Sequence, residues 1–337
     1  MKLIESFTGF QPLQEVWVGG TYPENFYSDL PNEVEDTFCK ITQETDVGLD
    51  KLSKTLEGFG VKVRRPYFSD RKEDYSDDSG NLIKPPIAPR DWAITVGNEL
   101  WINTQGYKTE PFADAINEYR QNGDIVDILR PGEDPRSILC YPGVVRFGKH
   151  VVVDTGTTGE DWYTDWHKEQ IKKAVKILEK KYTVIETDSG GHLDSVYCPI
   201  REGQIFSSHW GEKDMYDLTA PGWEVFWIKT DTDNWKYNGK WWTSDNPASP
   251  IFNKHIEEKA KEWVGDSRET VFDVNMLVVD EHNVICIKEH EQSFKKMQEI
   301  GITPHVVDFP ARHFWDGGMH CLTTDIRRSG GCLNYFK

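Results

Sequence analysis

Positive charge is scarce in this sequence. It carries 39 Lys and Arg against 56 Asp and Glu, a formal net charge of −17 at pH 7. A nucleic-acid partner requires basic patches that neutralise phosphates, and this balance argues against one. Long apolar runs are missing as well. Nothing approaches the roughly 20 apolar residues that cross a bilayer, so no membrane partner is expected. The cysteines Cys39, Cys140, Cys198, Cys286, Cys321 and Cys332 form no Cys-x-x-Cys pair, which removes the usual zinc spacing. They are scattered rather than framed for disulfides, and no secretory leader is read at the start. Both features point to a cytoplasmic protein with reduced thiols. Cys39, Cys140, Cys198 and Cys286 read as small buried hydrophobes.

Apolar material is plentiful: 37% of the 337 residues are hydrophobic. That length suggests two domains unless the chain is built from repeats. Repeats are present. Asp91–Val96, the turn Gly97–Glu99 and Leu100–Ile102 read as a hairpin. A helical segment around Ala113, Ile116 and Tyr119 follows, then a strand at Ile125–Leu129. The same order returns from Val144, from Leu193 and from Val274. A looser first copy consists of Val16–Val18, a helix-prone stretch around 34–59 and Val61–Arg64. Each unit is thus strand, tight turn, strand, helix, strand. The short turns demand antiparallel pairing, which argues against an open doubly wound sheet. Five ββαβ units closing into a ring predict an α/β fold and one domain over residues 1–337. Residues 69–89 read as a long surface loop. The Trp- and Asn-containing segment around 229–253 breaks the pattern, either as a cover over a site or as an insertion packed outside.

Chemistry concentrates near the C-terminus, in Arg312-His313-Phe314-Trp315-Asp316-Gly317-Gly318-Met319-His320-Cys321, followed by Leu322-Thr323-Thr324-Asp325-Ile326-Arg327-Arg328. The glycines allow close backbone approach. Cys321 is either a nucleophile awaiting a base or a structural cysteine beside a glycine turn. The candidate base is His192 in Gly190-Gly191-His192-Leu193-Asp194. Asp91 and Asp194 open equivalent places in their units. Two carboxylates at one centre suit a planar guanidinium, whose central carbon a thiolate can attack. Taken singly, Asp91 also reads as a turn residue and His192–Asp194 as a polar loop.

Taken in order, the motifs resemble those of the guanidino-group-modifying amidinotransferases, the glycine and inosamine-phosphate amidinotransferase group. The matching stretches are Pro89-Arg90-Asp91, Val96-Gly97-Asn98-Glu99, Gly191-His192-Leu193-Asp194, Asn275-Met276-Leu277, Gly301-Ile302-Thr303 and Gly317-Gly318-Met319-His320-Cys321-Leu322-Thr323-Thr324-Asp325-Ile326-Arg327-Arg328. The resemblance runs from Glu15 onward. It implies a five-bladed α/β propeller, Cys321 as nucleophile, His192 as general acid/base, and Asp91 and Asp194 as holders of the guanidinium. It implies small-molecule substrates: transfer of the amidino group of L-arginine to an acceptor amine, with L-ornithine released and no metal or organic cofactor. A guanidine hydrolase of the deiminase or dihydrolase type and a non-catalytic guanidine-binding homologue are the alternatives. Assembly as a homodimer is kept as an expectation.

Three departures from the family pattern stand out. The acidic residue that supports the histidine, just ahead of an x-x-R-x-G turn, is here Gly143, so either another group orients His192 or the enzyme is slow or altered. The arginine that grips a substrate carboxylate in the glycine amidinotransferases is missing from Ser208–Lys213. Their serine pair is replaced around Ser267-Arg268-Glu269.

Overall fold

The structure, a computed structural model, describes residues 2–156, 164–188, 192–208, 213–228, 249–264, 274–315 and 317–336. The hairpins read from the sequence recur as five three-stranded sheets. One contains β3 (Ala93–Val96), β4 (Glu99–Asn103) and β5 (Ile125–Leu129). The next contains β6 (Val144–Phe147), β7 (His150–Asp154) and β8 (Thr183–Thr187). Then come β9 (Tyr197–Arg201), β10 (Gln204–Ser208) and β11 (Glu224–Ile228), followed by β12 (Leu277–Val278), β13 (Asn283–Cys286) and β14 (Thr303–Val306). In each, the middle strand runs antiparallel to the first and parallel to the third. The tight turns impose the first relation, and a helix-containing crossover permits the second. Gly97 and Gly148 take φ values of 61° and 65° in two of those turns, a region open to glycine at little cost.

The first unit corrects the sequence reading. Its β1 (Leu13–Val18) and β2 (Lys62–Arg64) run parallel, as expected of second and third strands. Its missing first strand comes from the other end of the chain. Residues Thr323–Arg328, which the sequence reading did not treat as a strand, form β15 antiparallel to β1, with Val16 opposite Asp325 and Val18 opposite Thr323. Cys321 therefore precedes a strand that joins the two ends of the chain.

The helices cover the sheets. They are α1 (Asn32–Gly58), α2 (Ala113–Gln121), α3 (Asp165–Leu178), α4 (Lys213–Thr219), α5 (Pro250–Lys259), α6 (Glu291–Glu299) and the short α7 (Arg312–Trp315). On α1 the buried residues Phe38, Ile41, Leu49, Leu52 and Leu56 repeat at helical spacing and form one face against the core. Among the described residues, no helix is long and apolar enough to cross a membrane. Stretch 69–89 is more than a surface loop. Tyr75 and Ile87 are buried, and Tyr75 packs against Tyr22, Phe26 and Phe68 because its ring has apolar area to hide. Of the segment around 229–253, residues 229–248 lie outside the described residues. Its end begins α5, where Phe252 packs on Phe38.

Asp325 is buried, 1% exposed, with three guanidinium groups on its carboxylate. Arg90 Nη2 and Arg146 Nη2 each donate over 2.7 Å, Arg328 Nε donates over 3.0 Å, and Ser6 Oγ adds a bond of 2.7 Å. Burial alone would raise the Asp325 carboxyl. The charges of Arg146, Arg328 and Arg90 hold it well below the usual range instead. These partners come from Pro89–Asp91, β6, β15 and the N-terminal segment, so one carboxylate joins parts distant in sequence. Removing one partner of a buried ion cluster strands the others in low dielectric. Asp325→Ala should therefore cost about 3–5 kcal/mol, measured as a fall in the urea midpoint. Asp50→Ala removes an exposed partner of Arg65 and should cost about 1 kcal/mol or less. Equal losses in the two variants would contradict this assignment of the core.

Candidate active site

Three short 3-10 turns stand at equivalent places, each leading into the first strand of a sheet. They are Pro89–Asp91 before β3, Tyr141–Gly143 before β6 and Leu193–Ser195 before β9. They pack side by side, the middle one touching both others. The first ends in Asp91, and the third contains Asp194 with His192 at its N-cap. Ser195 fixes the backbone there: its amide and hydroxyl donate to the His192 carbonyl over 3.0 and 2.6 Å. Cys321 comes from a distant part of the chain, on the turn that leads into β15. That turn is tied by Leu322 N–H to the Gly318 carbonyl, 3.1 Å, and by Thr323 N–H to the His320 carbonyl, 3.2 Å. Gly318 is required by space: a Cβ there would stand 2.6 Å from the Asn275 carbonyl oxygen.

Donor atoms of His192, Asp194 and Cys321 lie within 4.8 Å of one another. Asp91 is near enough to act on the charge of all three. The four residues singled out from the sequence thus meet in one place. Asn275 organises the cysteine: its Oδ1 accepts the amides of His320 and Cys321, each at 3.0 Å, and its Nδ2 donates to Cys321 Sγ at 3.1 Å. His320 Nδ1 lies 2.7 Å from Asp194 Oδ2, while Arg90 Nε donates to the His320 carbonyl at 2.9 Å. The other oxygen of Asp194, Oδ1, and Asp91 Oδ1 are buried and accept no hydrogen bond among the described residues. Two buried, unsatisfied carboxylate oxygens are costly unless a cationic donor meets them. The spacing of the donors would also admit a metal ion. The two unpartnered oxygens beside a thiol match a planar cation with several N–H groups.

The electrostatics follow from burial. Cys321 is pushed up to about 12 by burial and by the Asp194 and Asp91 carboxylates, with the hydrogen bond to His192 opposing them. Burial also raises Asp91, against the pull of His192. Asp194 is held low because the His320 hydrogen bond and the charges of His192 and Arg90 outweigh its burial. His320 is pushed down to about 4 by burial and by Arg90, so at neutral pH it is an uncharged donor to Asp194. Burial would lower His192 too, but the sulfurs of Cys140 and Cys321 and the Asp91 carboxylate raise it well above the ordinary histidine value.

No family model matches the chain. Among curated proteins it is 21% identical over 318 residues to the L-arginine:L-lysine amidinotransferase of Pseudomonas savastanoi pv. phaseolicola, covering 85% of this chain and 79% of that one. It is 31% identical over 327 residues to the mitochondrial glycine amidinotransferase of Xenopus laevis, covering 86% of this chain and 70% of that one. The chain belongs to the amidinotransferase family. With the family comes its enzyme class, the transfer of amidino groups. The fold agrees: an amidinotransferase of the saxitoxin biosynthetic pathway from Microseira wollei superposes with a TM-score of 0.71 at 20% identity, over 99% of this chain and 100% of that one.

Sequence reasoning passed over several residues of this amidinotransferase site. Asn275 was noticed as part of a motif but without a role; its contacts come from a segment 46 residues from Cys321. His320 likewise stood in the motif without a role, although an H-C pair after two glycines was a usable signal. Cys140 was read as a small buried hydrophobe. It is instead only partly buried, in the middle 3-10 turn, with its sulfur on His192. Cys198 and Cys286 are buried as expected. Gly143 is buried in that same turn and supplies no side chain. Of the other two departures, residues 209–212 and 267–269 lie outside the described residues. A substrate-free amidinotransferase with this arrangement should hold Cys321 as a thiol near neutrality. Iodoacetamide modification of Cys321, followed by mass spectrometry, should be slow and accelerate steadily with pH. It should be faster in Asp194→Asn at a given alkaline pH, because a carboxylate that disfavours the thiolate is gone. An unchanged rate in Asp194→Asn would contradict the role given to Asp194.

Proposed function

We propose that this enzyme transfers the amidino group of L-arginine to an acceptor amine through a covalent amidino-cysteine. The observation that carries the reading is the pair of unpartnered buried oxygens, Asp91 Oδ1 and Asp194 Oδ1, beside a cysteine that contacts a histidine. The fold enters as well: the five sheets are read as blades of one α/β propeller domain, with the turns before β3, β6 and β9 and the turn before β15 meeting at its centre.

In this reading Asp91 and Asp194 each accept N–H groups of the arginine guanidinium. The incoming cation offsets the two carboxylates that disfavour the thiolate, so the pKa of Cys321 falls when arginine binds. His192 takes the thiol proton, and Cys321 Sγ attacks the central guanidinium carbon. The bond from that carbon to the side-chain nitrogen breaks, and His192 returns the proton to that nitrogen as ornithine leaves. The acceptor amine then loses a proton to His192 and attacks the same carbon. The carbon–sulfur bond breaks, giving a guanidino product, Cys321 and a protonated His192 ready for the reverse step. Asn275, donating to Cys321 Sγ, supports the developing thiolate.

Incubation with arginine and a panel of primary amines should yield ornithine and a guanidino product, and Cys321→Ala should yield neither. Citrulline or ammonia formed without any amine would replace this reading with a hydrolase. The pH dependence follows from the pair. Activity requires one proton shared between His192 and Cys321, so the kcat/KM profile should be bell-shaped. Because His192 is raised above the ordinary value and Cys321 to about 12, the maximum should lie on the alkaline side of neutrality. A profile flat across the neutral and alkaline range would contradict the paired roles.

A further inference from the structure

A histidine that moves protons at one nitrogen needs its ring held by a partner on another side. Two of the three equivalent 3-10 turns supply carboxylates to the site, Asp91 from the first and Asp194 from the third. The middle turn ends in Gly143 and supplies none. Its N-cap residue is Cys140, and the Cys140 side chain hydrogen-bonds His192.

We propose that Cys140 is the positioning residue for His192: its sulfur accepts an imidazole N–H and keeps the ring where it exchanges protons with Cys321. This rests on the roles proposed above for His192 and Cys321. The backbone around Cys140 is suited to such a task. Its carbonyl accepts the Gly143 amide at 2.9 Å, Pro142 fixes φ within the turn, and Tyr141, Pro142 and Gly143 are all buried. The turn packs against Leu193–Ser195, the element that His192 caps. Cys140 therefore projects from a fixed backbone toward a fixed histidine.

The titratable groups facing His192 are Cys140, Cys321, Asp91, Asp194 and Tyr107. Three of them, Cys140, Cys321 and Asp91, raise the imidazole pKa against burial. Removal of Cys140 leaves burial opposed by fewer partners, so His192 becomes easier to deprotonate. A thiol that only filled space would leave the imidazole where it was.

The test combines a readout that needs no turnover with one that does. His192 is titrated by NMR in the isotope-labelled wild type, Cys140→Ser and Cys140→Ala. In Cys140→Ala the His192 midpoint should move to lower pH and the acid limb of the kcat/KM profile should move with it. A mispositioned base should lower kcat by up to about 100-fold, with the KM for arginine changed far less. Cys140→Ser retains a smaller acceptor and should fall between the two, which keeps the test usable if the alanine variant folds poorly. An unmoved His192 midpoint and acid limb in folded Cys140→Ala or Cys140→Ser would overturn the inference. Failure of the proposed reaction looks different: the wild type itself makes no ornithine with any amine, while the NMR shift still reports whether Cys140 holds His192.

Discussion

One buried carboxylate holds three guanidinium groups, and much of the molecule depends on that arrangement. Asp325 draws Arg90, Arg146 and Arg328 to a single point, with Ser6 completing the set. Alone, three buried arginines would repel and each would be costly to desolvate. Around one carboxylate they become a clasp between the N-terminal segment, two of the internal sheets and the C-terminal strand. The arginines outnumber Asp325, and the nearby carboxylates of Asp91 and Asp194 help offset the excess. The charge that stabilises the centre thus also sets the charge of the site. Arg90 acts in both: it donates to Asp325, and its Nε holds the His320 carbonyl immediately before Cys321.

That coupling explains the state of Cys321, the proposed nucleophile. Cys321 is buried beside the Asp194 and Asp91 carboxylates, so the thiol is favoured over the thiolate. A resting thiol is protected from adventitious oxidation and alkylation, both of which proceed through the thiolate. In the proposed reaction the same carboxylates that suppress the thiolate bind the cation that releases it. Substrate recognition and nucleophile activation then draw on one electrostatic term, with the histidine as the proton's temporary holder.

Much of this was legible in the chain. The hairpins announced themselves through short glycine turns between apolar strands, and Asp91, His192, Asp194 and Cys321 stood out by motif. The final strand did not. Thr323–Arg328 carries threonines, an aspartate and arginines where a buried strand usually carries valine and isoleucine, because its inward side chains serve an ion cluster and hydroxyl contacts. Local pattern cannot report that such polar residues find partners 235 and 179 positions away, as Asp325 does in Arg90 and Arg146. Stretch 69–89 misled in the opposite way: its acidic and proline-rich composition concealed Tyr75 and Ile87, which anchor it. Cys140 was invisible for a chemical reason. A thiol resembles a small apolar group in sequence and becomes a polar partner only when a histidine is set against it.

The central claim is that Cys321 carries the amidino group between donor and acceptor. Rapid acid quench of the enzyme with arginine alone, followed by peptide mass spectrometry, addresses it directly. The account predicts that the peptide containing Cys321 gains the mass of one amidino group and that the adduct disappears when a competent amine is added. Turnover of arginine with Cys321 unmodified at every quench time, or the adduct on another residue, would contradict it.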